Sequence, residues 1–279
     1  MYESFYRMTE KPFSIQPDPD FLYFGKRHSM AYAMLKYGVE NRAGFTVITG
    51  EVGSGKTTLI RHLLNNLPDR VRVGLITNTH RNITDILELV MQAFGQPFRE
   101  TSGVALYDDF QNFLIREYRE GRRVILIVDE AQNLTAEVLE SLRLLSNINA
   151  DKHQLLQVIL TGQPELKAVL CQPELRQFAQ RVAVDFHISP LAASEVPLYI
   201  VHRLKKAGRD RMLFTFPACR AIARYTKGIP RAINILCDTA LMYGMAAEAG
   251  QIDESIVDEV ISDKQQYGVF SDEVGAGQS

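Results

Sequence analysis

The stretch Phe45-Thr46-Val47-Ile48-Thr49-Gly50-Glu51-Val52-Gly53-Ser54-Gly55-Lys56-Thr57-Thr58 decides how this chain is read. Its first five residues form a short apolar and β-branched run, as a buried strand requires. Residues 50–57 then fit GxxxxGK[ST] without a mismatch, and a helix from Lys56 to Asn66 closes near Pro68. Strand, glycine loop and helix start are the setting that gives the motif its meaning. Glycines let backbone N–H groups turn inward around phosphate oxygens, and the helix N-terminus adds partial positive charge. Gly50, Glu51, Val52, Gly53, Ser54, Gly55, Lys56, Thr57 and Thr58 are therefore expected to cradle the phosphates of ATP. Lys56 should reach the β- and γ-phosphates and Thr57 should ligate Mg²⁺.

A second signal lies downstream, in Val124-Ile125-Leu126-Ile127-Val128-Asp129-Glu130. A continuous apolar run suits a central strand buried on both faces by helices. It delivers two acids at its carboxyl end, where ligands bind in parallel α/β sheets. Asp129 is expected in the Mg²⁺ shell, and Glu130 is expected to polarise an attacking water at the γ-phosphate. An adjacent Asp-Glu pair suits hydrolysis by water better than transfer to a bound acceptor, which would need a second substrate site.

Outward from these two motifs, strands at Phe45–Thr49, Val71–Thr77, Val124–Val128, Leu155–Thr161 and Val182–Ile188 alternate with helices at His28–Asn41, Lys56–Asn66, Ile83–Phe94, Val104–Glu120 and Thr135–Asn147. Thr135 is a natural N-cap with Glu137 in the first turn. Two short helices fall near Pro164–Leu170 and Pro173–Gln180. After Pro190 the strands stop, and helices are predicted at 193–207, 217–226, 231–247 and 253–264. The fold class is α/β: a five-stranded parallel sheet between helices, followed by an all-helical domain. Residues 1–25, rich in Phe, Tyr and Pro, read as an extended arm held by aromatic anchors. The domain expectation is thus arm 1–25, core 26–190, helical lid 191–265 and flexible tail 266–279.

Composition limits the alternatives. The chain has 279 residues, 46% hydrophobic and 23% charged, with a formal net charge of −2. That balance argues against wholesale disorder and against a globally basic nucleic-acid binder. Three scattered cysteines, Cys171, Cys219 and Cys237, form neither a disulfide framework nor a CxxC site. Six scattered histidines lack ligand spacing, so no metal beyond Mg²⁺ is expected. The N-terminus has no signal-peptide pattern, and the most apolar run, Val124–Val128, is far short of the roughly 20 residues that span a bilayer. A cytoplasmic location is expected.

These motifs, with three further stretches, resemble the AAA+ ATPases. Thr161 matches the polar residue at the end of the strand after the acidic one, called sensor 1, which in that family helps orient the attacking water. Arg181, and second to it Arg176, match an arginine finger that precedes the last strand and acts on a neighbouring subunit's nucleotide, which implies a homo-oligomer. Gly228-Ile229-Pro230-Arg231 matches sensor 2, with Arg231 projecting toward the γ-phosphate from the lid. Asn78 matches a polar position that can hold the catalytic glutamate, here Glu130, inactive until a partner binds. The N-terminal arms of this family often pack near the adenine.

The resemblance narrows further. Tyr2-Glu3-Ser4-Phe5-Tyr6, Lys11-Pro12-Phe13 and Pro17-Asp18-Pro19 are similar to the ExeA/GspA group of secretion ATPases. So are Asp129-Glu130-Ala131-Gln132, Leu160-Thr161-Gly162-Gln163-Pro164-Glu165-Leu166 and Gly228-Ile229-Pro230-Arg231-Ala232-Ile233-Asn234. Coverage is about residues 1–265. Related ATPases accompany exosortase, polysaccharide-export and pilus systems. Secretion members continue into a membrane helix and a peptidoglycan-binding domain, neither of which occurs in these 279 residues. The resemblance implies an ATPase coupled to a protein partner in a cell-envelope secretion, export or pilus machine, peripheral at the inner membrane through that partner. The alternative is a DNA-directed AAA+ regulator of the transposition or replication-initiation type; nucleic acid is not the favoured partner, since no helix-turn-helix follows the lid.

Charge is unevenly spread. Residues 192–250 hold 9 Lys/Arg against 4 Asp/Glu, whereas residues 251–279 hold 1 against 7. Near-neutrality is a cancellation between a basic lid and an acidic end. Arg203, Lys205, Lys206, Arg209 and Arg211 read as a solvated face or a partner surface.

Overall fold

The computed structural model describes residues 1–77, 86–97, 103–150 and 153–267. They form two compact units. One comprises His28–Glu51 and Leu59–Ile188; the other comprises Met1–Arg27, Val52–Thr58 and the chain from Ser189 onward.

The first unit is built on a five-stranded parallel sheet of β1 (Phe45–Gly50), β2 (Val71–Ile76), β3 (Arg123–Val128), β4 (Leu156–Gly162) and β5 (Val182–Ile188). The spatial order is β2-β3-β4-β1-β5. The strands fall where the apolar runs place them. β1 and β4 are buried along their whole length and β3 at all but its first residue, as their central positions demand. β2, at one edge, alternates buried and exposed positions. β4 lies between β1 and β3, so the end of the glycine-loop strand and the end of the acidic strand are separated by Thr161.

Helices α1 (Lys26–Glu40), α2 (Lys56–Asn65), α3 (Ile86–Ala93), α4 (Gly103–Arg119) and α5 (Ala136–Leu145) follow the predicted alternation. The Ile83–Phe94 expectation begins outside the described residues. Thr135 caps α5 through Val138 N–H at 3.4 Å. The core below the sheet joins Leu126, Val128, Leu142 and Phe178 to a cluster of Phe94, Phe110 and Phe113. A two-residue antiparallel pairing of Asn149–Ala150 with His153–Gln154 was not foreseeable from so short a stretch.

The second unit contains α6 (Val196–Lys206), α7 (Phe216–Thr226), α8 (Pro230–Ala246) and α9 (Glu254–Tyr267), matching the four predicted helices. Among the described residues of this unit, Phe214 and Ile252 form an isolated parallel bridge. The N-terminal arm belongs to this unit's core. Tyr2, Tyr6, Phe13 and Phe21 are buried with Ile200, Leu204, Ile233 and Cys237.

Arg203 explains how the arm is held, and it departs from the reading of a solvated or partner-facing cation. It is 6% exposed. Its Nε donates to Pro12 O at 2.5 Å, its Nη2 donates to Ser14 O at 3.1 Å, and the guanidinium lies 4.5 Å from the centre of the Phe21 ring. Two carbonyls and an aromatic face thus replace the water that burial removes. Asn234 adds a second tie, accepting from Tyr199 Oη at 2.8 Å and donating to Ser14 O at 3.2 Å. Arg209 is half-buried and donates to Tyr6 O. Of the five lid cations, Lys205, Lys206 and Arg211 remain exposed.

Candidate functional site

In the first unit, the strand ends assemble an acidic cluster. Val128 pairs with Leu160 in the β3–β4 register, so Asp129 and Thr161 come next on adjacent strands. Thr161 is fully buried and donates from Oγ1 to Asp129 Oδ1 at 2.6 Å. The same Asp129 oxygen accepts the main-chain N–H of Glu130 at 3.0 Å. A carboxylate only 5% exposed therefore keeps fixed donors on one oxygen. The Thr161 hydroxyl, matched by resemblance to a water-orienting residue, sits on this carboxylate.

Glu130 leaves the strand in the left-handed region, φ 54°, ψ 37°. That backbone is uncommon for a residue with a Cβ and concentrates at functional sites. It turns the chain into a 3₁₀ turn, Ala131–Asn133. From that turn Gln132 donates Nε2 to Glu130 Oε2 at 2.7 Å, while its Oε1 accepts Gln163 N–H at 3.0 Å. Gln163 donates its own Nε2 to the same Glu130 oxygen at 3.3 Å. Room for this arrangement depends on Gly162, where a Cβ would lie 2.9 Å from Gln132 Oε1 and 2.9 Å from Leu166 Cδ2.

Gln132 and Gln163, which hydrogen-bond Glu130 here, are residues that the motif reading passed over. Both stand inside stretches quoted above for their resemblance, but no single-stretch pattern pairs them. The signal was the repeated placement of an amide just after a strand-end polar residue on two strands that prove to be neighbours. Asn78, the residue expected to touch Glu130, lies outside the described residues. Arg176 is exposed at the start of the short helix Arg176–Ala179, and Arg181 is half-exposed just before β5. Neither makes an ion pair among the described residues.

In the second unit, residues Val52–Thr58 pack with the lid helices. Gly53 and Gly55 both have positive φ, 77° and 97°, the backbone that turns successive N–H groups to one side. Ser54 and Lys56 are buried, Val52 is exposed, and Thr57 and Thr58 are half-buried. A buried lysine at the first residue of α2, beside the main-chain N–H groups of a helix start, is a donor set suited to a polyphosphate. Gly228-Ile229-Pro230 makes the turn into α8, with Pro230 at the first helical position, and Arg231 follows. Arg231 N–H donates to Gly53 O at 3.1 Å. The structure thus brings the glycine loop and the Gly-x-Pro-Arg turn together, 178 positions apart in sequence by their numbers.

Among the described residues no group of three or more His, Cys, Asp or Glu side chains could hold a metal by itself, and no helix is long and apolar enough to cross a membrane. Residues 39–170 match the family described as AAA domain. The chain is 42% identical over 253 residues to general secretion pathway protein A of Aeromonas hydrophila, covering 90% of this chain and 46% of that protein. It therefore spans about half the length of that relative. Among solved structures, Cdc6p of Pyrobaculum aerophilum is similar with a TM-score of 0.69 at 18% identity, over 88% of this chain and 70% of that one. The ORC2 protein of Aeropyrum pernix is similar with a TM-score of 0.64 at 18% identity, over 89% and 72% respectively. At these identities the two structures speak to the fold alone. Strand order, glycine loop, acidic strand end and the extended match to the Aeromonas protein agree: the chain belongs to the AAA+ family, in its general secretion pathway protein A group.

Proposed function

We propose that this chain binds and hydrolyses ATP with Mg²⁺, as a homo-oligomer, and couples that cycle to assembly or regulation of a cell-envelope secretion, export or pilus machine. The observation that carries the reading is the strand-end cluster. Thr161 fixes the Asp129 carboxylate, and Glu130 stands beside it on a left-handed backbone, in a chain that also bears a complete GxxxxGK[ST] loop.

In this reading the loop's N–H groups and the Lys56 ammonium bind the phosphates, while Thr57 and Asp129 would hold the metal. Mg²⁺ would neutralise charge that develops on the phosphoryl oxygens. Glu130 takes the proton of the attacking water, Arg231 reads the nucleotide from the lid, and Arg181 or Arg176 acts on a neighbouring subunit's site. The Aeromonas relative carries the name of a secretion-pathway protein, which supports a protein partner in an envelope machine. A place on the cytoplasmic side of the inner membrane, reached through that partner, follows from the same reading.

The test is phosphate release from MgATP by the wild type, Lys56→Ala and Glu130→Gln. Slow basal turnover is expected, lost in both variants, with Glu130→Gln still binding nucleotide. Wild-type turnover by Glu130→Gln would overturn the assignment. Salt-sensitive, ATP-dependent binding of duplex DNA would instead favour a DNA-directed regulator.

A further inference from the structure

The two glutamines around Glu130 have a geometry that a structural role alone does not require. The Gln132 amide can be seated in only one sense. Gln163 N–H is a donor, so the Gln132 atom 3.0 Å from it is the carbonyl Oε1. The atom 2.7 Å from Glu130 Oε2 is then the amide Nε2. Gln163 Nε2 reaches the same oxygen at 3.3 Å. Two neutral donors, one from the turn after β3 and one from the loop after β4, thus converge on one carboxylate oxygen. They stop rotation about the last side-chain torsion, which is otherwise broad.

We propose that Gln132 and Gln163 are positioning residues for hydrolysis, acting through Glu130 Oε2 to hold its carboxylate in the one orientation that serves the attacking water. The inference rests on the hydrolytic reading of Glu130. A base that must meet a water in line with the γ-phosphate gains from being fixed before the nucleotide arrives, because misplacement of a catalytic group by about 1 Å can cost about 10²-fold in rate. Gln132 is the main restraint, since it makes the shorter bond and is itself oriented by a backbone group. Gln163 has two parts: its backbone N–H orients Gln132, and its side chain adds a longer bond.

The experiment measures steady-state turnover of MgATP and binding of a fluorescent non-hydrolysable ATP analogue. The proteins are the wild type, Glu130→Gln, Gln132→Ala, Gln163→Ala, Gln132→Glu and the double variant Glu130→Gln/Gln132→Ala. Gln132→Ala should lower kcat about 10- to 100-fold, part of the contribution of a positioned base, with analogue affinity within about twofold of wild type. Gln163→Ala should lower kcat by less, because the backbone bond to Gln132 survives. In the Glu130→Gln background, Gln132→Ala should add nothing.

Gln132→Glu supplies the readout that loss of packing would not move. It keeps an oxygen for Gln163 N–H but sets a second carboxylate against Glu130. Its kcat should fall at least as far as that of Gln132→Ala, because the restraining amide donor is replaced by a repelling acceptor, while analogue affinity and melting stay near wild type. Circular dichroism and melting show which variants fold; should Gln132→Ala fail, Gln132→Glu and Gln163→Ala carry the test. An inert wild type, or a Glu130→Gln variant as active as wild type, overturns the hydrolytic reading and this inference with it. An active wild type and a dead Glu130→Gln, with both alanine variants at or above wild-type kcat, overturns the positioning role alone.

Discussion

Arg231 donates its main-chain N–H to the carbonyl of Gly53 at 3.1 Å, and a Cβ placed on Gly53 would come within 2.4 Å of the Arg231 Cβ. The first turn of α8 is therefore seated on the glycine loop, backbone to backbone. Three residues further along the same helix, Asn234 holds the arm at Ser14. Loop, lid helix and arm thus form one chain of contacts within the second unit.

Gly53→Ala tests the first link. The substitution adds a left-handed alanine, costing about 1–2 kcal/mol, and a clash with backbone-anchored atoms of α8. Nucleotide affinity is expected to fall at least tenfold and the melting temperature to drop. Equilibrium binding of a fluorescent ATP analogue and a thermal melt check both.

Asn234→Ala and Arg203→Met test the second link. Asn234→Ala leaves the buried Tyr199 hydroxyl and Ser14 carbonyl each short of a partner, at about 1–3 kcal/mol. Arg203→Met keeps similar volume but loses both carbonyl bonds. In either variant the arm should loosen, and limited trypsin digestion should cut sooner after the exposed Arg7. A digestion time course as slow as wild type would show that the arm does not depend on these ties.

Thr161→Val removes the buried donor to Asp129 with little change of shape. The carboxylate loses a 2.6 Å bond in a fully enclosed place, an expected destabilisation of about 1–3 kcal/mol. Asp129 is then less well fixed, so half-saturation by Mg²⁺ in the ATPase assay should move to higher concentration. Thr161→Ser, which keeps the hydroxyl, should restore both.

Glu117 and Arg122 give a pH signature unrelated to the nucleotide. Arg122 donates Nε and Nη2 to the Glu117 carboxylate at 2.6 and 3.0 Å, and these hydrogen bonds hold the Glu117 carboxyl below its ordinary value of 4.5. A carboxyl depressed in the folded state stabilises it above the unfolded value, and that stabilisation is lost as pH falls through the folded value. Glu117→Gln should therefore melt lower than wild type between pH 6 and pH 8, roughly constantly, with the gap closing below about pH 4. Differential scanning fluorimetry across that range reads the gap directly.

Mixed subunits test the arginine finger. Arg181→Ala lacks the finger but keeps its own phosphate loop; Lys56→Ala lacks the loop but keeps the finger. In a shared site the mixture should recover activity, up to about one quarter of wild type for random pairs, where each alone is inert. No recovery from intact oligomers would place catalysis within one subunit, and the Arg176→Ala mixture separates the two candidates.

Much of this was legible in the linear chain because it is local. The run Val124–Val128 has no polar position to turn toward water, so it had to become a strand covered on both faces. Thr135 three residues before Val138 carries its own cap, and Gly53 and Gly55 permit the backbone that the loop adopts. Each of these depends on residues within one turn or one strand of each other. Arg203 was not legible, since by sequence it is one more cation in a basic helix beside Lys205 and Lys206. Its burial is decided by carbonyls of Pro12 and Ser14 that are about 190 positions away.

The sequence by itself determined the parallel α/β unit, the helical unit after it, the glycine loop and the acidic strand end, because hydrophobic period and turn chemistry are properties of neighbours along the chain. The tertiary structure alone decided which strand ends meet. By laying β4 against β3 it put Thr161 on Asp129 and Gln163 on Gln132 and Glu130; by folding the arm into the lid it turned a surface-like arginine into a buried clasp. Strand order and long-range burial arise from how whole elements pack, and no periodicity within one segment records them.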